Sequence, residues 1–299
     1  MARVNRCIEL LEQGQPIYYT GVEELSFESG RALAGTWADF LSIDFEHRPL
    51  DVIGLSAFMD GLRVAGPTRS GHPTPTVIAT TAISGISPEE VCVNAWQIRH
   101  LLTAGVHGLL MVHARDPGAA RAFVECCRYP IAPAGVGAGL GEGLRGSAGQ
   151  NHPAEVWDMT PEEYVLKADV WPLNPEGELM LGLKLEDRHC LPTAAISTAV
   201  PGLAFAEWGP GDMGMSLGYA SRHDPPYPPE MEAARDTIKG ACDSAGIPFL
   251  CGWNDDSMNA AERAAHAINV IGAKIIPCGP PGEELAVAGR ALTGRTMPV

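Results

Sequence analysis

LMLGLKLEDRHCLPTAAISTAVPGLAFAEWGPGDMGMSLG, residues Leu179 to Gly218, holds two short apolar runs, each closed by acid. Leu179 to Leu185 has strand length, and Glu186 with Asp187 follows where the strand emerges. Leu191 to Ala199 reads as a short helix, and Gly202 to Trp208 as the next strand, closed by Gly209, Pro210, Gly211 and Asp212. Two strands joined through a helix lie parallel and adjacent, so their C-terminal ends bring Glu186 and Asp212 to one face. Two carboxylates with positions left open for water and substrate oxygens suit Mg²⁺, Mn²⁺ or Co²⁺. The alternative is a pair of loop-capping acids.

Outward from this stretch the chain alternates strands and helices. Strands are expected over Pro16–Thr20, Phe40–Phe45, Thr76–Thr81 and Gly108–Val112 before it, and over Pro248–Gly252 and Lys274–Pro277 after it. Helices are expected over Phe27–Thr36, Pro49–Ala65, Ser87–Ala104, Pro117–Arg128, Thr160–Val170, Glu230–Ala245 and Ala260–Gly272. Eight strand-helix units in one α/β domain fit a (β/α)₈ TIM barrel better than an open sheet. No internal repeat or second domain is visible. Ile131 to Asn151 is rich in Gly and Ala and reads as a long loop, either a lid over the mouth or a subunit contact. Gly141 to Gly146 spells GxGxxG without a strand before it or a helix after it, so a dinucleotide site is rejected.

At 299 residues with 45% hydrophobic residues, the chain can bury a large core. Mean hydropathy is near zero and no apolar run approaches the roughly 18 residues of a membrane helix. The N-terminal segment reads as a short amphipathic helix without a signal core. Eight cysteines without CxxC spacing fit reduced thiols in a cytoplasm. A net charge of −15 argues against nucleic-acid binding.

Several segments then fall together. Ile43-Asp44-Phe45-Glu46-His47 with Pro49 and Asp51, Tyr129-Pro130, Gly143-Leu144-Arg145-Gly146, Glu186, and Val200-Pro201-Gly202 leading to Gly209-Pro210-Gly211-Asp212 and Ser216-Leu217-Gly218 resemble the HpcH/HpaI aldolase (2-oxo-3-deoxy acid aldolase, citrate lyase-like) family. The match is collinear from about Pro16 to Pro281. It implies a phosphoenolpyruvate/pyruvate-domain-like barrel, a divalent cation on Glu186 and Asp212, and His47 as general base within the segment that carries Asp44. It also implies a homo-oligomer, a hexamer or trimer of dimers, with the tail after Pro281 as a contact helix.

The chain departs from that pattern at three places. The third strand, Val77-Ile78-Ala79-Thr80-Thr81, lacks the arginine that holds the substrate. Leu102-Thr103-Ala104-Gly105 stands where LDxG carries an aspartate that orients the histidine. Lys184 replaces a glutamine two positions before Glu186 and faces the same side. Lys184 is open to three roles: a cation in place of the arginine, a Schiff-base amine, or a partner of Glu186. Arg115, on one side with His113 after the fourth strand, is a second candidate to hold substrate; Gly211 is a further one, and Trp208 with Trp253 suggests an apolar or aromatic substrate wall.

The expected activity is metal-dependent cleavage of a 4-hydroxy-2-oxo acid, or a related β-hydroxy carbonyl compound, to pyruvate or a similar ketone and an aldehyde. Alternatives are a lyase of this fold on a non-pyruvate, even aromatic, substrate, and a non-catalytic relative that binds an oxo acid or serves in assembly. A CoA-ester lyase fits less well, because no basic patch for nucleotide phosphates is evident.

Overall fold

The structure, a computed structural model, describes residues 3–221, 224–279 and 282–295. Its strands are β1 Ile17–Gly21, β2 Phe40–Asp44, β3 Thr76–Ser84, β4 Gly108–Val112, β5 Val170–Trp171, β6 Leu179–Lys184, β7 Phe205–Trp208, β8 Phe249–Cys251 and β9 Ile275–Pro277. Eight of them form a closed parallel barrel, in which β4 pairs with β6 and β9 with β1. The ninth, β5, pairs with the first two residues of β6. The (β/α)₈ reading is therefore correct.

The helices are α1 Arg6–Glu12, α2 Phe27–Leu33, α3 Val52–Ala65, α4 Pro88–Val93, α5 Ala95–Thr103, α6 Pro117–Cys127, α7 Asn151–Val156, α8 Pro161–Lys167, α9 Ala194–Thr198, α10 Pro210–Ser216, α11 Pro229–Ala245, α12 Ala260–Ala265 and α13 Gly282–Leu292. Expected caps form: Ser87 Oγ accepts from the Glu90 N–H, and Thr160 with Glu163 makes a capping box.

Alternation along the strands sorts the core into two layers. Leu41, Val77, Leu109, Leu183, Ala206 and Trp208 belong to the cluster under the helices. Ile17, Phe40, Ile78, Leu110, Met180, Phe205, Leu250 and Ile275 fill the barrel interior with Cys7, Ile8 and Leu10 of α1. The Asn5 side chain ties this helix down by donating to the carbonyls of His107 and Glu178. The N-terminal end of the barrel is thereby plugged and apolar. Further along, the same alternation sends Lys184 and Glu207 inward, so the interior becomes charged toward the mouth.

Three expectations need correction. Ser87–Ala104 is two helices, because the Asn94 amide donates to the Glu90 carbonyl and competes with the helical pattern. The helix expected to reach Val170 ends at Lys167, and Val170 opens β5. Residues 131–150 carry no helix or strand, but they lie away from the mouth: Arg145 N–H donates to the Arg128 carbonyl, and Gly139 faces Pro201 in the turn before β7. A segment that follows a helix and leads into a strand belongs to the N-terminal end of a barrel, so it is no lid. The expected tail is α13, whose Gly289 packs against the Tyr18 ring beneath β1 and completes the eighth unit. The last four residues of that tail, 296–299, and Pro281 lie outside the described residues.

Candidate active site at the barrel mouth

Glu186 sits two residues past Lys184, the last residue of β6, and is wholly buried. Its Oε1 accepts from the His113 N–H (3.3 Å) and its Oε2 lies 2.9 Å from Lys184 Nζ, at an angle that leaves Oε2 without a hydrogen bond. A Cβ at 209 would stand 2.9 Å from that oxygen, so any residue larger than glycine there would make the carboxylate shift. Lys184 also donates to Glu46 Oε2 and lies opposite Glu207 in the β6–β7 register. Three carboxylates thus surround one ammonium.

Their titration follows from burial and charge. Burial pushes Glu186 above the usual carboxylate range, against the pull of Lys184. Burial raises Glu207 in the same way. For Lys184 burial works downward, but Glu207, Glu186 and Glu46 outweigh it and hold the amine protonated. A Schiff base needs a neutral amine, so this setting makes Lys184 a charge partner of the acids.

His47 lies at the rim, with Nδ1 2.9 Å from Asp44 Oδ2. Asp44 Oδ1 accepts from the backbone N–H groups of Glu46 and His47, which folds the Asp44–His47 turn around one carboxylate. Burial lowers the His47 pKa, but the Asp44 hydrogen bond and the Glu46 charge raise it further, and the net shift is upward. Asp44 therefore orients the imidazole. Thr103, where the resemblance expects an orienting aspartate, lies at the opposite end of the barrel, its carbonyl against His152 Nδ1.

A second histidine belongs to the mouth. His113, just past β4, has φ +44°, a left-handed conformation uncommon for a residue with a side chain. Its Nδ1 is 3.4 Å from Asp187 Oδ2 and its Nε2 3.5 Å from Glu46 Oε1. Asp187 also accepts from Arg115 Nε at 2.8 Å. Burial raises the Asp187 pKa, but His113 and Arg115 more than offset it and hold the carboxyl well below its ordinary range. Among the described residues, Asp187 is the single side-chain partner of Arg115, and that side chain is 40% exposed.

The structure brings Glu46, His113 and Glu186 together, with one ligand-type atom of each within 4.8 Å of the others. Asp44, Glu46 and His47 form a second such group. Asp212, in the first turn of α10, is partly buried and joins neither group, though its charge acts on both His113 and Glu207. Gly211 precedes it in the same turn. Trp208 is corrected: alternation turns it away from Glu207 into the outer layer, fully buried against the Tyr227 ring, so it lines no substrate space.

Sequence reasoning passed over Glu207 and the His113–Asp187 pair. The signal for Glu207 was its place beside Lys184, which needs the strand register. For His113 it was the acid following Glu186.

No family model matches the chain. It is 26% identical over 286 residues to 4-hydroxy-2-oxo-heptane-1,7-dioate aldolase of Escherichia coli, covering 95% of this chain and 92% of that protein. It is 27% identical over 260 residues to hydroxypyruvate/pyruvate aldolase of Deinococcus radiodurans, covering 87% and 78%. Among solved structures, an HpcH/HpaI aldolase/citrate lyase family protein from Burkholderia cenocepacia superposes with a TM-score of 0.69 at 21% identity, over 97% of this chain and 98% of that one.

Proposed function

Because the chain resembles the HpcH/HpaI aldolases from end to end, in sequence and in fold, we infer that it is a divalent-metal-dependent carbon–carbon lyase. It cleaves a 4-hydroxy-2-oxo acid or related β-hydroxy carbonyl compound to pyruvate, or a similar ketone, and an aldehyde. One observation carries the metal: Glu46, Glu186 and Glu207 share one ammonium, which leaves two negative charges to be offset either by protons, toward which burial pushes Glu186 and Glu207, or by a cation. A divalent cation would offset both. The donor set fits, since Glu186 is buried with Oε2 lacking a hydrogen bond, and Glu186 with Asp212 would hold the ion.

Bound there, Mg²⁺, Mn²⁺ or Co²⁺ supplies positive charge for the substrate's carboxylate and keto oxygens and for the charge that develops when the C3–C4 bond breaks. The rest falls to the chain. Asp44 keeps the proton on His47 Nδ1, so that Nε2 can take the C4 hydroxyl proton and later return it. Asp187 anchors Arg115 through Nε, leaving the rest of its guanidinium for a substrate carboxylate. Lys184 balances the acids. We take the protein to be cytoplasmic on its cysteine usage, and a homo-oligomer on its resemblance to the family.

A second reading is favoured by β3, which offers Thr80 inward and no basic residue, with Lys184 already engaged. The same chemistry would then act on a substrate other than the pyruvate-yielding acids. The test is pyruvate release by protein stripped with EDTA and resupplied with Mg²⁺, Mn²⁺ or Co²⁺, across aliphatic and aromatic 4-hydroxy-2-oxo acids. His47→Ala is expected to lower kcat by about 10²–10⁴-fold and Glu186→Gln to abolish metal dependence. Metal binding through Glu186 without any release selects the second reading. Neither binding nor release leaves a non-catalytic relative.

A further inference from the structure

All eight cysteines are free thiols; seven are buried and Cys92 is exposed. Cys92 lies in α4, the helix that follows β3, and α4 packs along α6, the helix that follows β4. At their starts the two helices fit closely, since a Cβ on Gly118 would stand 2.9 Å from the Pro88 ring. Farther on, the Cys92 side chain hydrogen-bonds to that of Cys126, in the last turn of α6. Thiols in such contact point toward each other across the helix boundary, the arrangement a disulfide needs.

The two sulfurs differ in environment. Cys126 is buried, and burial together with the neighbouring thiol pushes it up to about 12, so it is held as a thiol. Cys92 is open to solvent, and Arg99 in α5 brings a positive charge to the pair. An accessible sulfur with a second one directly behind it is how a reversibly oxidised cysteine is built.

We propose that Cys92 and Cys126 are a redox pair that hydrogen peroxide converts to a disulfide, cross-linking the third and fourth strand-helix units of the barrel. The peroxide gives one oxygen to the Cys92 sulfur, forming a sulfenic acid, and its other oxygen leaves as water. The Cys126 sulfur then attacks the Cys92 sulfur. The S–O bond breaks as the S–S bond forms, and the departing hydroxide takes the Cys126 proton to become a second water. The two thiols lose two electrons and the peroxide gains them. In a cytoplasm small thiols reverse the link, so it is transient. The same two units are joined at the mouth, where the Arg115 and Asp116 N–H groups both donate to the Gly85 carbonyl, and the disulfide would brace the turn that carries Arg115.

The test treats the full chain, first reduced, with equimolar hydrogen peroxide. The intact mass is expected to fall by two hydrogens, non-reducing digestion to yield peptides joined through Cys92 and Cys126, and dithiothreitol to restore the starting mass. Cys92→Ser, a change at an exposed position, is expected to fold as the native chain does and to abolish the mass loss. Cys126→Ala should instead leave a sulfenic acid at Cys92 that dimedone traps. The pairing is overturned if native Cys92 goes on to sulfinic acid while Cys126 stays a free thiol, if either cysteine links elsewhere, or if Cys92 is not oxidised.

Discussion

Lys184 is the residue on which the charge of the mouth turns, since its ammonium is the cation in contact with Glu46 and Glu186 and the inward neighbour of Glu207. Removing one member of a buried ionic cluster is costly because the others stay charged or must take up protons. Lys184→Met is expected to lose about 3–5 kcal/mol of stability in EDTA, read by urea unfolding. Saturating Mn²⁺ should restore part of that loss, because a divalent cation offsets the same acids. Unchanged stability in EDTA would show that the acids are already neutral. Glu186 was legible in the sequence, as an acid closing an apolar strand. The partnership of Lys184 with Glu46 was not, because it joins residues 138 apart through a side-chain reach that periodicity does not encode. His113 was hidden for a different reason: its orientation follows from a left-handed turn, and nothing in Val112-His113-Ala114 marks one.

At the scale of elements, α2 and α3 meet through two glycines that interlock. A Cβ on Gly30 would lie 2.1 Å from the Phe58 carbonyl oxygen, and one on Gly61 would lie 2.1 Å from that of Phe27. Neither neighbour can yield, being helix backbone. Gly61→Ala is therefore expected to push the helices apart and cost about 1–3 kcal/mol, measured as a fall in the urea midpoint at unchanged slope. A second element-level device lies at the plugged end, where His107 leads into β4. Its Nδ1 accepts from the Val77 N–H at 3.1 Å, and its ring stacks on Trp157. Burial, with a smaller push from His72, takes its pKa from the ordinary 6.5 down to about 3. Between those values the unfolded chain binds a proton that the folded chain does not, so this group's contribution is full above 6.5 and shrinks as pH falls toward 3. Stability should decline by about 1.4 kcal/mol per pH unit through that window on this account. His107→Gln should flatten the slope, and an equally steep decline in the variant would assign it to other groups. The strands themselves were readable because β-branched and apolar runs are sharply bounded. The place of the Gly-rich segment was not, since composition says that it is a loop but not at which end of the barrel it lies.

For the molecule as a whole, the count of eight units was legible, but what holds the first unit to the last was not. The seam between β1 and β9 has three paired positions, and β8 meets β9 at one. The buried Asp39 reinforces it. Its carboxylate accepts from the Tyr18 N–H (2.9 Å) and from Arg290 (3.0 Å) and Arg295 (2.6 Å), so it joins the start of the chain to α13 and the residues after it. These partners are up to 256 residues apart, beyond any local pattern. Asp39→Asn keeps the shape of the acceptor but leaves two guanidinium groups facing a neutral amide, and is expected to cost about 3–5 kcal/mol in thermal unfolding. If the latch acts on closure, native-state hydrogen exchange in the variant will speed up first in β1 and β9, while β3 and β4, paired on both sides by longer strands, keep their protection. Equal acceleration in all eight strands would mean that Asp39 supports the packing at large and that the seam is held by the apolar plug beneath it.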